Sequence, residues 1–232
     1  MKIDVRRITT EADRQIALDV LKATYKEEKR WIDDDDRLFD PAELTDDKVA
    51  WFVSLHKDRP VGVVRVMFEP PLDLYKEYGF QQIGPEIDVQ AFIDNNRIAE
   101  IGRLAVIPEY RRHKAIALSL MRDATRETIR KGYSHFVTDV FEGEKHSPYD
   151  FHTRILGFVP VATHDVGELN CENRRITLIL DFKECYRRLK EEKARFFRIM
   201  TDNWTEDLHS RMSQDSAYSG LSAIAESRIS AA

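Results

Sequence analysis

Residues 98–120 read IAEIGRLAVIPEYRRHKAIALSL, and the reading of this stretch decides the fold. Ile98–Val106 has the pattern of a β-strand. Pro108 follows it, then a basic cluster of Arg111, Arg112, His113 and Lys114, and then small residues that open a long helix-patterned segment. Strand, basic turn and helix N-terminus together build an anion site, because the first N–H groups of a helix lack internal partners and the helix dipole is positive there. Cations at a helix start oppose that dipole by about 0.3 kcal/mol or more each. A bound anion offsets this, whereas a solvated helix start is the plain alternative. The same strand carries Glu100 and Arg103. Period-two alternation puts residues three apart on opposite faces unless a bulge re-aims one of them. A mid-strand carboxylate beside an anion site points to group transfer from a phosphate-bearing carrier.

The surroundings bound this reading. A chain of 232 residues is one large domain, or one domain with an appendage. Its net charge of −5 with 33% charged residues argues against general nucleic-acid binding and for a soluble surface. Cys171 and Cys185 show neither a disulfide framework nor zinc spacing, so both are expected as reduced thiols of a cytoplasmic protein. Met1–Thr10 lacks a signal-peptide core, and no apolar run is long enough to span a membrane. The histidines form no close pair at ligand spacing, so no metal is expected.

Working outward, Lys2–Ile8 alternates as a strand. Thr10 is an N-cap for a helix to about Thr24 with Ile16, Val20 and Ala23 on one face. Val49–His56 and Val61–Phe68 read as a hairpin joined by Lys57-Asp58-Arg59-Pro60. Glu69–Asn96, with its prolines and glycines, reads as a long irregular segment holding one or two short helices. Beyond the central strand come a helix over Arg111–Lys131 ended by Gly132, a strand over Ser134–Phe141 and a short helix over Pro148–Leu156 stopped by Gly157. Strands follow at Phe158–Thr163 and Arg175–Asp181, and Phe182–Met200 reads as a charged helix with Tyr186, Leu189, Phe196 and Met200 on its apolar side. The order β-α-β-β-β-α-β-α-β-β-α divides the chain into a domain over 1–182 and a C-terminal helix with a partly disordered tail over 183–232. The terminal helix packs on its own domain by default. Dimerisation, covering of an acyl tunnel, and carrier binding through Arg187, Arg188, Lys190 and Lys193 are its other open roles.

This order, with Val106-Ile107-Pro108-Glu109-Tyr110-Arg111 before a helix and Leu156-Gly157-Phe158 after a short one, resembles the GNAT acyltransferase superfamily. The resemblance implies an α/β (α+β) fold. Its centre is a mixed, mostly antiparallel, twisted sheet of about seven strands with helices on both faces. It implies two central strands that splay around the pantetheine arm of the donor, with pyrophosphate held by the loop before the next helix. Arg112–Ala117 falls on the family signature R-x-x-G-x-G/A, with Ala115 and Ala117 at the glycine positions, so that Arg111, Arg112, His113, Lys114, Ala115, Ile116 and Ala117 would hold the donor. Alanine still offers its N–H, but its Cβ limits how closely phosphate approaches. Leu104, Ala105 and Val106 would supply the backbone of the splayed strand. Tyr25 and Trp31, then Asp36 and Asp40, Gly62-Val63-Val64-Arg65 and Glu100-Ile101-Gly102-Arg103 look like the bacterial acyl-homoserine-lactone synthases and N-acyl amino acid synthases. That likeness implies an acyl donor that is acyl-CoA or the acyl-phosphopantetheine of acyl carrier protein, and a small primary amine as acceptor. It makes Trp31, Asp36, Asp40 and Arg65 candidate substrate-binding residues. A homodimer is left open.

Acyl transfer to an amine needs a base, oxyanion donors and a proton for the departing thiolate. Glu100 is the first candidate base, with Arg103 beside it; the alternative is a structural carboxylate paired to Arg103 or Arg65. Thr153 stands where the family usually has its acidic tyrosine, leaving Tyr149 or His152 as candidate acids or as ordinary helix residues. Asp33–Asp36 reads as an amine-binding segment or a solvated loop. Trp31, Trp51 and Phe52 read as acyl-pocket walls or core. With the resemblance, these residues imply an N-acyltransferase that moves an acyl group from a phosphopantetheine thioester to a small primary amine, and the long loops at 26–47 and 69–96 favour a long acyl chain. A standard acetyl-CoA N-acetyltransferase and a degenerate domain that senses acyl thioesters stand as alternatives.

Overall fold

The computed structural model describes residues 2–72, 78–83 and 89–214, without the side chains of Asp36 and Val89. The expected disordered tail falls largely on 215–232, which lies outside the described residues. β1 (Asp4–Arg7), β2 (Val49–His56), β3 (Arg59–Met67), β4 (Gln81–Gln82), β5 (Ile98–Val106), β6 (His135–Phe141), β7 (Val159–His164) and β8 (Arg175–Asp181) form one sheet. Its order is β1-β2-β3-β5-β6-β8-β7-β4. Every neighbouring pair is antiparallel except β5–β6. That parallel pair needs a crossover, which α4 (Lys114–Arg130) supplies. The eighth strand, β4, is two residues long and lies in the segment expected to be irregular. Two residues leave no alternation to read. The short helix α3 (Val89–Asn95) lies there too.

Val61–Val66 of β3 is buried at every position. Burial of successive residues needs cover on both faces of a strand, and both α1 (Glu11–Leu21) and α4 pack on β3. Thr10 caps α1 by accepting the Asp13 N–H at 3.2 Å. The helix then widens into a π-helical turn, Lys22–Glu28, instead of ending near Thr24. Its buried side runs through Arg14, Ala17, Leu18 and Leu21, with Val20 alongside, while Ile16 and Ala23 are half-buried. The stripe lies off the expected one because it includes an arginine, whose stem packs while Nε and Nη2 donate to the Phe39 carbonyl at 3.0 and 2.7 Å. α2 (Asp35–Leu38) is a single turn.

Other boundaries also differ from the sequence reading. The β2–β3 turn is only Lys57-Asp58, both at positive φ (50° and 63°), and Arg59 and Pro60 already pair with His56 and Leu55. α4 begins at Lys114, not Arg111, because Pro108–Tyr110 forms a 3-10 turn and the His113 N–H closes onto the Tyr110 carbonyl at 2.9 Å. The terminal charged segment is two helices, α5 (Phe182–Glu192) and α6 (Ala194–Met200), broken where Lys193 leaves helical geometry (φ −135°, ψ 51°). A further helix, α7 (Glu206–Ser213), follows. Phe182, Tyr186, Leu189, Met200, Leu208 and Met212 enter the same core as the sheet. Among the described residues no helix is long and apolar enough to cross a membrane.

α4 rides close on the sheet at Gly62. A Cβ there would lie 3.0 Å from the Ala105 carbonyl oxygen and 3.0 Å from Ile116 Cγ2, while Ile116 is fully buried. Gly62→Val is expected to lower stability by about 1–3 kcal/mol, the usual effect of overpacking a core. The readout is a lower urea midpoint at unchanged m-value; an unchanged midpoint would mean that α4 can lift off the sheet without loss.

Candidate active site

The site originates in one extra residue. On β3, Val63 and Arg65 are two apart, but their partners on β5, Ala105 and Gly102, are three apart. Arg103 absorbs the difference at φ 53°, a left-handed conformation uncommon outside glycine. The bulge breaks the alternation, so Glu100 and Arg103 line one cleft instead of opposite faces. On its other side β5 pairs with β6 only from Ile98–His135 to Glu100–Val137. Past that point the strands part around a cleft of about 920 Å3. Leu104, Ala105 and Val106 line one wall and Thr138, Asp139, Val140 and Phe141 the other.

The floor is a charged cluster. Arg65 and Arg103 are both buried, with side chains 8% and 3% exposed. Arg65 Nη2 lies 3.1 Å from Glu100 Oε1 and 3.8 Å from Glu168, and Nη1 lies 3.5 Å from Glu43. Arg103 Nη2 binds Glu168, and its guanidinium lies over the Tyr25 ring at 5.5 Å. Burial pushes Glu100 above the usual carboxylate range, and Arg65 pulls it only partly back. Burial likewise raises Glu43, which accepts the Trp51 Nε1–H at 2.7 Å. Burial also acts on Glu168, but there Arg103 and Arg65 outweigh it and hold the carboxyl below the usual range. Glu100 therefore combines a cleft position, a raised pKa and the Arg65 ion pair, so pairing to Arg65 does not by itself remove it as a candidate base.

At the rim, Arg111, His113, Lys114 and Ala117 line the cleft, while Arg112, Ala115 and Ile116 do not. Ile116 is core. Arg111 donates from Nε to the Val106 carbonyl at 3.0 Å, and both of its terminal nitrogens bind Glu28. It braces the turn onto α1's π-helical extension. The His113 side chain makes no cap bond, so the start of α4 presents backbone N–H groups beside Lys114 at the rim.

The candidate acids lie elsewhere. Tyr149 packs half-buried against the core and does not line the cleft. Thr153 Oγ1 donates to the Tyr149 carbonyl at 2.9 Å. His152 is 2% exposed, stacks on Phe158 at 4.8 Å and is pushed down to about 3 by burial. Of the candidate acceptor residues, Trp31 lines the cleft, 5.4 Å from Tyr25 and 4.5 Å from Phe141 between ring centres. Asp40 does not; it caps the turn Pro41–Leu44 by accepting the Ala42 N–H at 2.9 Å. The side chain of Asp36 lies outside the described residues. Trp51 and Phe52 are core, with Trp51 stacked 4.2 Å from Phe39. Sequence reading missed Glu43, Glu168, Asp139 and the Lys29–Glu144 ion pair, all lining the cleft. Glu43 follows an Asp-Pro turn and Glu168 lies in a Gly/Asn-rich loop, where no periodicity marks a carboxylate.

A family model described as N-acyl amino acid synthase FeeM matches residues 17–170. Among solved structures, FeeM, an N-acyl amino acid synthase from uncultured soil microbes, aligns with a TM-score of 0.60 at 14% identity, over 80% of this chain and 94% of that one. A GNAT-family acetyltransferase from Desulfovibrio desulfuricans aligns with a TM-score of 0.54 at 12% identity, over 78% and 99%. The PaiA N-acetyltransferase from Thermoplasma acidophilum, in complex with coenzyme A, aligns at 0.53 and 14%, over 78% and 100%. No curated protein matches the chain by sequence.

The buried His152 sets a pH dependence of stability. Its folded pKa of about 3 lies below the ordinary 6.5, so below pH 6.5 the unfolded chain binds the proton and the fold does not. Stability is then full above 6.5 and falls as pH drops toward 3. Between pH 7.5 and 5.5 the protein is expected to lose about 1 kcal/mol through this residue. His152→Phe should flatten that portion in urea titrations at the two pH values. An identical loss in both proteins would show that His152 is protonated in the fold.

Proposed function

The chain belongs to the N-acyl amino acid synthase FeeM family, an acyltransferase family, and we propose on that premise that it transfers an acyl group from a phosphopantetheine thioester to the amine of a small amino acid. The observation that carries this reading is the parting of β5 and β6 beyond Glu100, which places a carboxylate at the floor of a cleft whose rim is the start of α4. Successive residues of a strand aim their N–H groups at opposite neighbours. Where β6 has moved away, the groups of 104–106 aimed toward it are available to a pantetheine amide and to the oxyanion of the tetrahedral intermediate. Lys114 and the first N–H groups of α4 face the phosphate end of the donor.

In the reaction the amine nitrogen bonds to the thioester carbon and the carbon–sulfur bond breaks. The amine proton passes to Glu100 and ends on the thiol. A base with a raised pKa holds that proton more firmly and still returns it to a thiolate. The donor is acyl-CoA or acyl carrier protein, which share the phosphopantetheine arm. The Thermoplasma neighbour, bound to coenzyme A, supports the first. A cleft at the upper end of the usual size for small-molecule sites supports a long acyl chain over acetyl.

Matched acetyl and long-chain thioesters on coenzyme A and on carrier protein, incubated with pooled amino acids, test this by mass spectrometry of N-acyl products and by thiol release. Long-chain N-acyl amino acids are expected. Product from acetyl-CoA alone would replace this reading with a simple N-acetyltransferase. Glu100→Gln is expected to lower kcat by roughly 100- to 10,000-fold with thioester affinity kept. Because the base acts deprotonated and its pKa is raised, activity of the unmodified enzyme should fall on acidification already above the ordinary carboxylate range, about 4.3. That acidic limb should vanish in Glu100→Gln.

A further inference from the structure

Two buried arginines converge on one carboxylate that has an easy way out. Glu168 sits on the loop between β7 and β8, and its side chain is 54% exposed. It binds Arg103 Nη2 and lies 3.8 Å from Arg65 Nη2. The two other carboxylates around Arg65 are fixed. Glu100 and Glu43 are 24% and 18% exposed, and Glu43 is also held by Trp51. The backbone of the Glu168 loop is pinned independently of its side chain. Arg37 donates to the Glu168 carbonyl at 3.1 Å, Arg175 to the Asp165 and Leu169 carbonyls at 2.6 and 2.7 Å, and the Asn170 N–H to the Trp31 carbonyl at 2.9 Å. Rotation of the Glu168 side chain into water therefore leaves the loop in place. Even with Glu168 bound, Arg103 Nη1 and Arg65 Nε are buried without a hydrogen-bond partner, so the pair is under-satisfied by the carboxylate it has.

We propose that Arg103 and Arg65 form the subsite for the carboxylate of the acceptor, and that Glu168 is an internal stand-in for it, displaced when the acceptor binds. This rests on the acyl-transfer reading and names what that reading leaves open, the group that selects the amine. The spacing supports it. Arg65 Nη2 touches Glu100 at 3.1 Å and faces Glu168 at 3.8 Å, so a carboxylate in the place of Glu168 lies one guanidinium nitrogen away from the base. In an α-amino acid the amine is separated from its carboxylate by a single carbon. A carboxylate anchored on Arg103 thus brings the amine beside Glu100 and under the splayed strand. An amine without a carboxylate leaves the two arginines to Glu168 and gains no anchor.

The test uses Glu168→Gln and Glu168→Asp in the full chain. Calorimetric titration with propionate reads the subsite without turnover. Propionate is expected to bind Glu168→Gln at least roughly fivefold more tightly than the unmodified protein, as when an internal competitor is removed. Glu168→Asp, one methylene short of its partners, should fall between. In steady state the acceptor KM of Glu168→Gln should drop by a similar factor with the thioester KM unchanged, and an amino acid should be preferred over its decarboxylated amine. Equal propionate affinity in the three proteins, an acceptor KM that stays or rises, or equal use of the decarboxylated amine would overturn the assignment. If no amine is acylated while propionate binds more tightly to Glu168→Gln, the subsite stands and the acyl-transfer reading falls.

Discussion

One residue too many in β5 is the constraint on which the rest of the site depends. A strand that kept register with β3 would send Glu100 and Arg103 to opposite faces. The insertion at Arg103 lets both face the cleft, and it adds local twist just where β5 leaves β6. The charged floor of the cleft, and the donor groove and oxyanion groups of the proposed reading, meet at that irregularity. Were β5–β6 pairing to continue past Glu100, it would close the groove and consume the N–H groups that the proposed reading gives to the donor.

The electrostatics point the same way. Two guanidinium groups with side chains under a tenth exposed are a poor way to stabilise a fold, since the desolvation of buried charges commonly equals or exceeds what their pairing returns. Apolar residues at 65 and 103 would serve packing as well. Three carboxylates share these two cations, and the one nearest the parting strands, Glu100, has its pKa raised rather than lowered. The field on them is unequal: Glu168 is held low by Arg103 and Arg65, while burial leaves both Glu100 and Glu43 raised. On the proposed reading, this inequality leaves Glu100 to accept a proton while Glu168 stays ionised on the arginines.

How far the chain could be read in advance follows from the range of each signal. Strands β2, β3, β5, β6 and β8 announce themselves by apolar runs, and Gly132 and Gly157 mark their helix ends at positive φ (83° and 91°). Glu100, Arg103 and Arg65 were legible because they interrupt such runs. The bulge was not, for only Gly102 hints at it, and an arginine at φ 53° contradicts every local preference. Asp40 looked like a binding residue, yet Asp-Pro is also a turn cap, and that local hydrogen bond won. Counting back four residues from Gly157 lands on Thr153, with Tyr149 and His152 as the substitutes near it. The π-helical turn at Phe151–Leu156 changes the face each residue presents, so counting on an α-helical period fails there. Glu43 and Glu168 reach the site from loops more than 20 residues from their arginine partners, a distance over which sequence pattern carries no information.

The donor rim shows how the fold tolerates alanines where the superfamily pattern has glycines. Gly62 lets α4 approach until Ile116 Cγ2 lies only 3.0 Å from where a Cβ at position 62 would be, and Ile116 is fully buried there. The helix is thus fixed from beneath by Ile116 in its first turn, and Arg111 fixes the preceding turn from the side through Glu28 and the Val106 carbonyl. With the backbone held at both points, the alignment of the N–H groups at the start of α4 does not rely on glycine at 115 or 117. What the methyl groups restrict is how deeply a phosphate settles. On the proposed reading, the burden of holding the donor then shifts from the phosphate end toward the pantetheine arm between β5 and β6 and the acyl chain beyond it.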